Sequence, residues 1–444
     1  APTLGSTNWQ NPTGDALERD IWRFMSQCTW GGTTALYNEI RAEVDAAIAL
    51  GGANNYLTGL NNWLDKQMNP VLTPTINYRT LVMAADNEDF MLRGNKQSTY
   101  NGDPQFNGTA YAVTYNAAGQ PVISTTGDNN QMGLNYPQSG PNRRREWWGM
   151  ILQSKDQVRQ RMTQALSEIT IISEADATLT DRHYGVAHFW DMLAAGAFGK
   201  YRNLLEQVTY SPVMGIYLSH MGNRAEYDAG GGTFVKPDEN YAREIMQLFS
   251  IGLILRHPDG SLVLGTDGLP IATYDQADIV ELSKVMTGWS HGARHANAYT
   301  STWNGTTWNH SSSQSVSPDI QYNGESTTNT WFGRSDGHLY WAAPWTNPMK
   351  IIGRIGTTPY HDFTAKTLLA GKAGETFVPA QNITAMTDVQ THATAITDMT
   401  IAHNCLAGNP ASNSAYNGHQ NTPVNISRWL IPVSYTHLRA HETE

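Results

Sequence analysis

The sequence predicts a mainly α-helical protein, a bundle-like domain of many helices with β-hairpin and loop insertions. Three observations carry that reading. Apolar residues recur at three- and four-residue spacing over most of the chain. Pro237 and Gly252 bracket one such run, the punctuation expected at the two ends of a helix. Two stretches, 96–142 and 290–345, abandon the periodicity for Asn, Gly, Gln, Ser and Thr and read as inserts. Residues 1–433 read as one helical domain, incomplete at its C-terminal end. Ser434 to Glu444 does not continue the pattern and reads as a non-native, adapter-like tail.

The elements follow in order. Asp15 to Ile48 is helical with a break at Trp30-Gly31-Gly32, and Leu17, Ile21, Phe24 and Met25 set its apolar stripe. Gly51 to Asn69 repeats the pattern with Leu57, Leu60 and Leu64, and Asn77 to Leu92 is a further candidate. Within the first insert, Ala110 to Tyr115 and Pro121 to Ser124 flank an Ala-Ala-Gly turn and predict a hairpin. Arg143 to Ile172 is strongly periodic, from Trp147, Met150 and Ile151 through Leu166 and Ile169. Val186 to Phe198, Tyr201 to Thr209 and Val213 to His220 are shorter helices. The run opened by Pro237 extends to about Ile251. Two Asp-Gly turns, at Asp259-Gly260 and Asp267-Gly268, enclose Ser261 to Leu264 and predict a small hairpin. Asp275 to Thr287, His361 to Leu369 and Asp388 to Leu406 read as the remaining helices.

The totals exclude several classes. Charged residues are 15% and the net charge is −10, with no basic cluster beyond Arg143, Arg144 and Arg145. A nucleic-acid backbone or an anionic membrane surface needs a positive field, so neither is an expected partner. No apolar run is long enough to span a bilayer. The low charge, offset by neutral polar residues, suits an exported protein, and the start at Ala1 fits either a removed leader or a beginning inside a longer chain. Cys28 and Cys405 are the two cysteines, and their pairing is left open. HExxH, GxSxG, P-loop and GxGxxG patterns are absent.

Several motifs, in order, resemble one family. They are Arg23 to Gly31 (RFMSQCTWG), Arg161 to Glu168 (RMTQALSE), Ala197 to Thr209 (AFGKYRNLLEQVT), Pro212 to Gly215, and Pro237 to Gly252 (PDENYAREIMQLFSIG). Tyr274 to Trp289 (YDQADIVELSKVMTGW) and His361-Asp362 with Lys366 to Leu369 complete the set. This set is similar to the domain of unknown function 1800 family. The resemblance implies a largely helical, exported bacterial protein, often encoded beside an exported sulfatase-like protein that is the candidate partner. No activity follows from it, and the cofactor is left open. The chain departs from the family in its polar inserts, in Cys28 of the opening motif, and in the sequence that family members carry beyond Ser427 to Ile431.

The chemistry on offer centres on the Pro237 helix. Asn240, Arg243, Glu244 and Gln247 share one face at i, i+3, i+4 and i+7, beside an apolar stripe of Tyr241, Ile245, Leu248 and Phe249. With Asp238 and Glu239 they supply groups for acid–base work or for an oxygen-lined site. The alternative is structural: first-turn acids favour a helix N-terminus, and Arg243 pairs with a carboxylate such as Asp278 in the next helix. His361, Asp362 and Lys366 form a second candidate. Candidate catalytic residues are therefore Glu239, Arg243, Glu244, Asp278 and His361, candidate ligand-binding residues are Asp238, Asn240 and Lys366, and no metal set is assigned. The tryptophans of the second insert either stack on sugars or anchor the loop. Two functions remain: an exported binding or assembly component, or a hydrolase-type enzyme using the carboxylate, Arg and His cluster.

Overall fold

The computed structural model describes residues 12–51, 55–82, 85, 114–115, 121–122, 140–176, 179, 182–257, 259–290, 302–303, 308–309, 348–351, 354–355, 358–372, 374–382, 386 and 388–407. The architecture is mainly α. Its helices are α1 (Gly14–Cys28), α2 (Thr34–Ala49), α3 (Asn55–Met68), α4 (Gly140–Gln153), α5 (Gln157–Ile169), α6 (His183–Gly196), α7 (Tyr201–Tyr210), α8 (Pro212–Tyr217), α9 (Asn240–Gln247), α10 (Gln276–Val285) and α11 (Asp388–Ala407). No helix among the described residues is long and apolar enough to cross a membrane.

Helices α1, α2 and α3 close a first core of Leu17, Ile21, Met25, Ile40, Val44, Leu60 and Trp63. The stripe of Leu17, Ile21 and Met25 repeats at four-residue spacing, which puts all three side chains on one face of α1. Thr33 caps α2 by accepting from the Leu36 amide at 3.1 Å, meeting an N-terminal donor that the helix leaves open. Gly59 lets α2 and α3 touch backbone to backbone: a Cβ there would lie 2.4 Å from Val44 Cα and 2.9 Å from the Glu43 carbonyl oxygen. Gly59→Ala must therefore push the helices apart. We expect it to cost about 1–3 kcal/mol, read as a lower denaturation midpoint at unchanged m-value.

The periodic run 143–172 divides into α4 and α5. Gln157 makes the break, because its side-chain amide donates to the Ile151 and Ser154 carbonyls at 2.8 Å each. Those carbonyls are the ones that a helix C-terminus leaves unsatisfied. Arg159 then ties α5 to its neighbours, donating to the Ala194 and Met68 carbonyls at 2.9 Å each.

The largest core gathers α5 to α7, α9, α10 and α11 around Leu205, Tyr241, Ile245, Phe249, Leu282, Val285 and Met399. Helix α9 is shorter than the sequence run implies. Asp238 takes the Asn240 amide at 2.8 Å and holds an Asx turn before the helix. At the other end Gly252, at φ 71, donates to the Met246 carbonyl at 2.9 Å and closes the exit turn. The double Asp-Gly reading is met: isolated bridges Ile254↔Ala272, Arg256↔Leu262 and Leu264↔Pro270 make a three-pass meander with Gly260 and Gly268 at positive φ.

The described strands form short antiparallel pairs. Thr114–Tyr115 pairs with Pro121–Val122, as the flanking alternation predicts. Trp289–Ser290 pairs with Lys350–Ile351, so the second insert leaves and rejoins the body at one place. Trp331, Trp341 and Trp345 lie outside the described residues, as do the side chains of Trp303 and Trp308 and the tail 434–444. Cys28 and Cys405 are not bonded to each other, and burial raises each thiol to about 11.

One expected helix is not there. His361 to Leu369 forms a turn followed by strand Lys366–Leu368, which pairs with Thr376–Val378. Polar side chains divert the backbone: Asp362 accepts from the Thr364 amide at 2.8 Å, and Lys366 reaches back to the Asp362 and Thr364 carbonyls. Local partners of this kind compete with i to i−4 bonding.

Candidate functional site

The acidic segment before and within α9 is largely a surface network. Asp238 and Asn240 are exposed, and Asp238 and Asn223 bond to each other through side chain and backbone. Arg243 contacts Glu239 and Gln276 at 3.3 Å each, and Gln276 donates to Glu239 at 2.7 Å. The polar side of α9 thus meets the first turn of α10, but the expected Arg243–Asp278 pair is not the contact made. Asp278 instead completes a capping box with Asp275, receives the Ala370 amide at 3.1 Å, and lies 2.8 Å from Lys372. A donor closer to Asp278 won that carboxylate. Glu244 is half-buried, with one carboxylate oxygen lacking a hydrogen bond, and burial raises its pKa against the pull of Arg243.

His361 and Lys366 belong to a separate, fully enclosed network. His361 Nδ1 lies 2.7 Å from the Thr287 carbonyl, which can only accept, so Nδ1 carries a proton. Its Nε2 faces Asp398 at 3.5 Å. The Lys366 ammonium donates to the Asp362 and Thr364 carbonyls at 2.6 and 2.9 Å and to Asp398 at 3.3 Å. Gly288 makes the close approach possible: it sits at φ 81, and a Cβ there would lie 2.9 Å from the His361 backbone nitrogen. Among the described residues no hydrogen bond or ion pair joins His361 to Glu239, Arg243, Glu244 or Asp278. The predicted residues therefore divide among a surface network, a helix cap and a buried pin.

A second enclosed polar group lies between α7, α9 and α11. Thr209 donates its hydroxyl to the Leu205 carbonyl at 2.8 Å, so Tyr241 and His403, each 2.7 Å from that oxygen, donate to it. His220 bonds the Thr209 carbonyl at 2.8 Å through Nε2 and stacks on Tyr241 with ring centroids 3.9 Å apart. Burial depresses the His220 pKa to about 4, partly opposed by the Thr209 bond, and the His403 pKa to about 3, helped by Arg202.

Open space lies elsewhere, beside α4, α5 and α6. A cavity of about 580 Å³ is lined by Trp147, Trp148, Trp190 and Tyr78 together with the charged Arg143, Arg144, Glu168 and Glu174. The aromatic rings brace one another edge to face: Trp147 meets Trp148 at 4.9 Å and Trp190 at 5.5 Å. Asp191 seats Tyr78 by accepting the Tyr78 and Arg79 amides at 2.6 and 2.9 Å, and burial raises that carboxyl to about 7. Arg143 is fixed from several sides. It donates Nε to His183 Nδ1 at 3.3 Å, contacts the Tyr78 hydroxyl at 3.5 Å, and pairs with Glu174. Glu174 also takes Arg144, at 3.3 Å.

A family model described as "Protein of unknown function (DUF1800)" matches residues 23–407. The chain belongs to the DUF1800 family. No curated protein and no solved structure matches it. The DUF1800 match takes in the cavity and both enclosed polar groups. The resemblance motifs pointed to the Pro237 helix and to His361. Of the cavity they touched only the edge, through Ser167 and Glu168 at the end of the Arg161 motif, and its aromatic wall showed only as the tight run Arg143-Arg144-Arg145-Glu146-Trp147-Trp148. Thr209 closed one resemblance motif, but the polar roles of Thr209, Asp398, His403 and Glu174 carried no signal, because their partners lie on other elements.

Proposed function

We propose that this protein is an exported binding component that holds a ring-bearing ligand, a sugar or an aromatic compound, in the cavity beside α4, α5 and α6. The observation that carries the reading is the cavity's lining: mutually braced tryptophans beside two arginines, an aromatic platform with charged groups that can orient a ligand. Export is supported by the low charge and neutral polar composition. In that setting the candidate partner is the sulfatase-like protein that the family resemblance implies. The hydrolase alternative has less support, since Asp278 serves as a helix cap and His361 is fully enclosed.

Tryptophan fluorescence and calorimetric titration with a panel of mono- and oligosaccharides and small aromatic compounds test the reading. Trp148 is 55% exposed, so its ring is available to a ligand. Trp148→Ala is expected to weaken binding about tenfold, the loss of roughly 1.4 kcal/mol of ring contact, in a variant that stays folded with a modestly lower thermal midpoint from the lost Trp147 contact. Wild-type affinity in that variant, or no binding across the panel, would remove the cavity from the function.

A further inference from the structure

Resting on the ligand cavity proposed above, we infer that its arginine pair, Arg143 and Arg144, is a carboxylate site that Glu174 bridges in this structure. A ring-bearing carboxylate takes the place of Glu174. Arg143 supplies the fixed half. Its side chain is 9% exposed, and the bonds to His183 and Tyr78 hold the guanidinium in place independently of Glu174. Arg144 supplies the mobile half at the rim, with 60% of its side chain exposed. A planar guanidinium matches a carboxylate better than any other common anion partner in a protein, and two of them define where it sits.

The present occupant shows which anion fits. Glu174 bridges both arginines from the turn after α5, and its side chain remains 35% exposed. Its side chain thus reaches water. Solvent can receive it when a ligand carboxylate arrives, and the exchange keeps the charge count of the cavity unchanged. One carboxylate replaces another, so the ionic contacts nearly cancel. The net preference then comes from the ring that the ligand lays against Trp147 and Trp148 and that Glu174 lacks. Acetate-like anions without a ring gain nothing over Glu174. Rings without the carboxylate leave Glu174 in place and use the aromatic wall alone.

The test uses the full chain and matched pairs of probes, oligogalacturonate with its methyl ester and benzoate with benzamide, titrated by calorimetry. The first pair reports a sugar acid and the second an aryl acid. At least one acid is expected to bind tenfold or more tightly than its neutral partner. Glu174→Gln is expected to tighten the acid about tenfold and leave the neutral probe unchanged. Arg144→Gln, at an exposed rim position that folding does not need, is expected to erase the preference for the acid. Equal binding of acid and neutral probe in wild type and both variants overturns the carboxylate site and leaves the ring-binding function standing. Binding of neither member of either pair overturns both.

Discussion

Asp398→Ala is expected to destabilise the protein by about 3–5 kcal/mol, the cost of leaving a buried cation without its counter-ion. Lys366 is only 1% exposed, and Asp398 is the carboxylate nearest its ammonium, at 3.3 Å against 4.0 Å for Asp362. The two carbonyls that Lys366 also reaches are dipoles and cannot balance a full charge in a low-dielectric interior. His361 loses its Nε2 partner in the same step. Chemical denaturation reads the effect as a lower midpoint. The double variant Lys366→Met with Asp398→Leu should cost clearly less than the two single substitutions added, because it removes both charges together. If Asp398→Ala shifts stability by under 1 kcal/mol, water reaches this network and the enclosed description fails.

Mild acid is expected to act through His220 and His403. Each is held neutral in the folded protein, with pKa values of about 4 and about 3 against 6.5 for an unhindered histidine. Below pH 6.5 the unfolded chain takes up protons at these positions and the folded protein does not. Stability therefore falls with pH from about 6.5 downward, and each histidine withdraws roughly 2.5 kcal/mol by pH 4.5. Asp191 works in the opposite sense. Its folded pKa of about 7 means that the folded form binds the extra proton between pH 7 and about 4, which favours folding as pH drops. A single-site comparison separates the two. Gln at position 403 keeps an amide donor for Thr209 without an acid-titrating ring. The stability advantage of wild type over His403→Gln should narrow by about 2–3 kcal/mol between pH 7 and pH 4.5. A difference that stays constant with pH would mean that His403 is solvated and titrates normally.

Both enclosed groups show why the functional reading of the sequence and the structure part company. The Pro237 helix was legible because its residues are neighbours at i, i+3 and i+4, and the reading of its polar face against α10 holds through Glu239, Arg243 and Gln276. The pairing of Arg243 with Asp278 failed for a reason no local pattern contains: Lys372 arrives from nearly a hundred residues further on and takes that carboxylate. The helix expected at His361 failed because its apolar spacing is short and Lys366 finds its partners in the carbonyls behind it and in α11.

By itself, the sequence determined the helical class, the positions of most helices, the two Asp-Gly turns and membership of the family, because periodicity, caps and turns act over a few residues of the chain. Tertiary structure alone decided which polar groups are enclosed, which carboxylate faces which cation, and where open space remains between Arg143, Trp148 and Trp190. Those outcomes depend on desolvation and on close approach between segments far apart in the chain, and both exist only once the helices have packed.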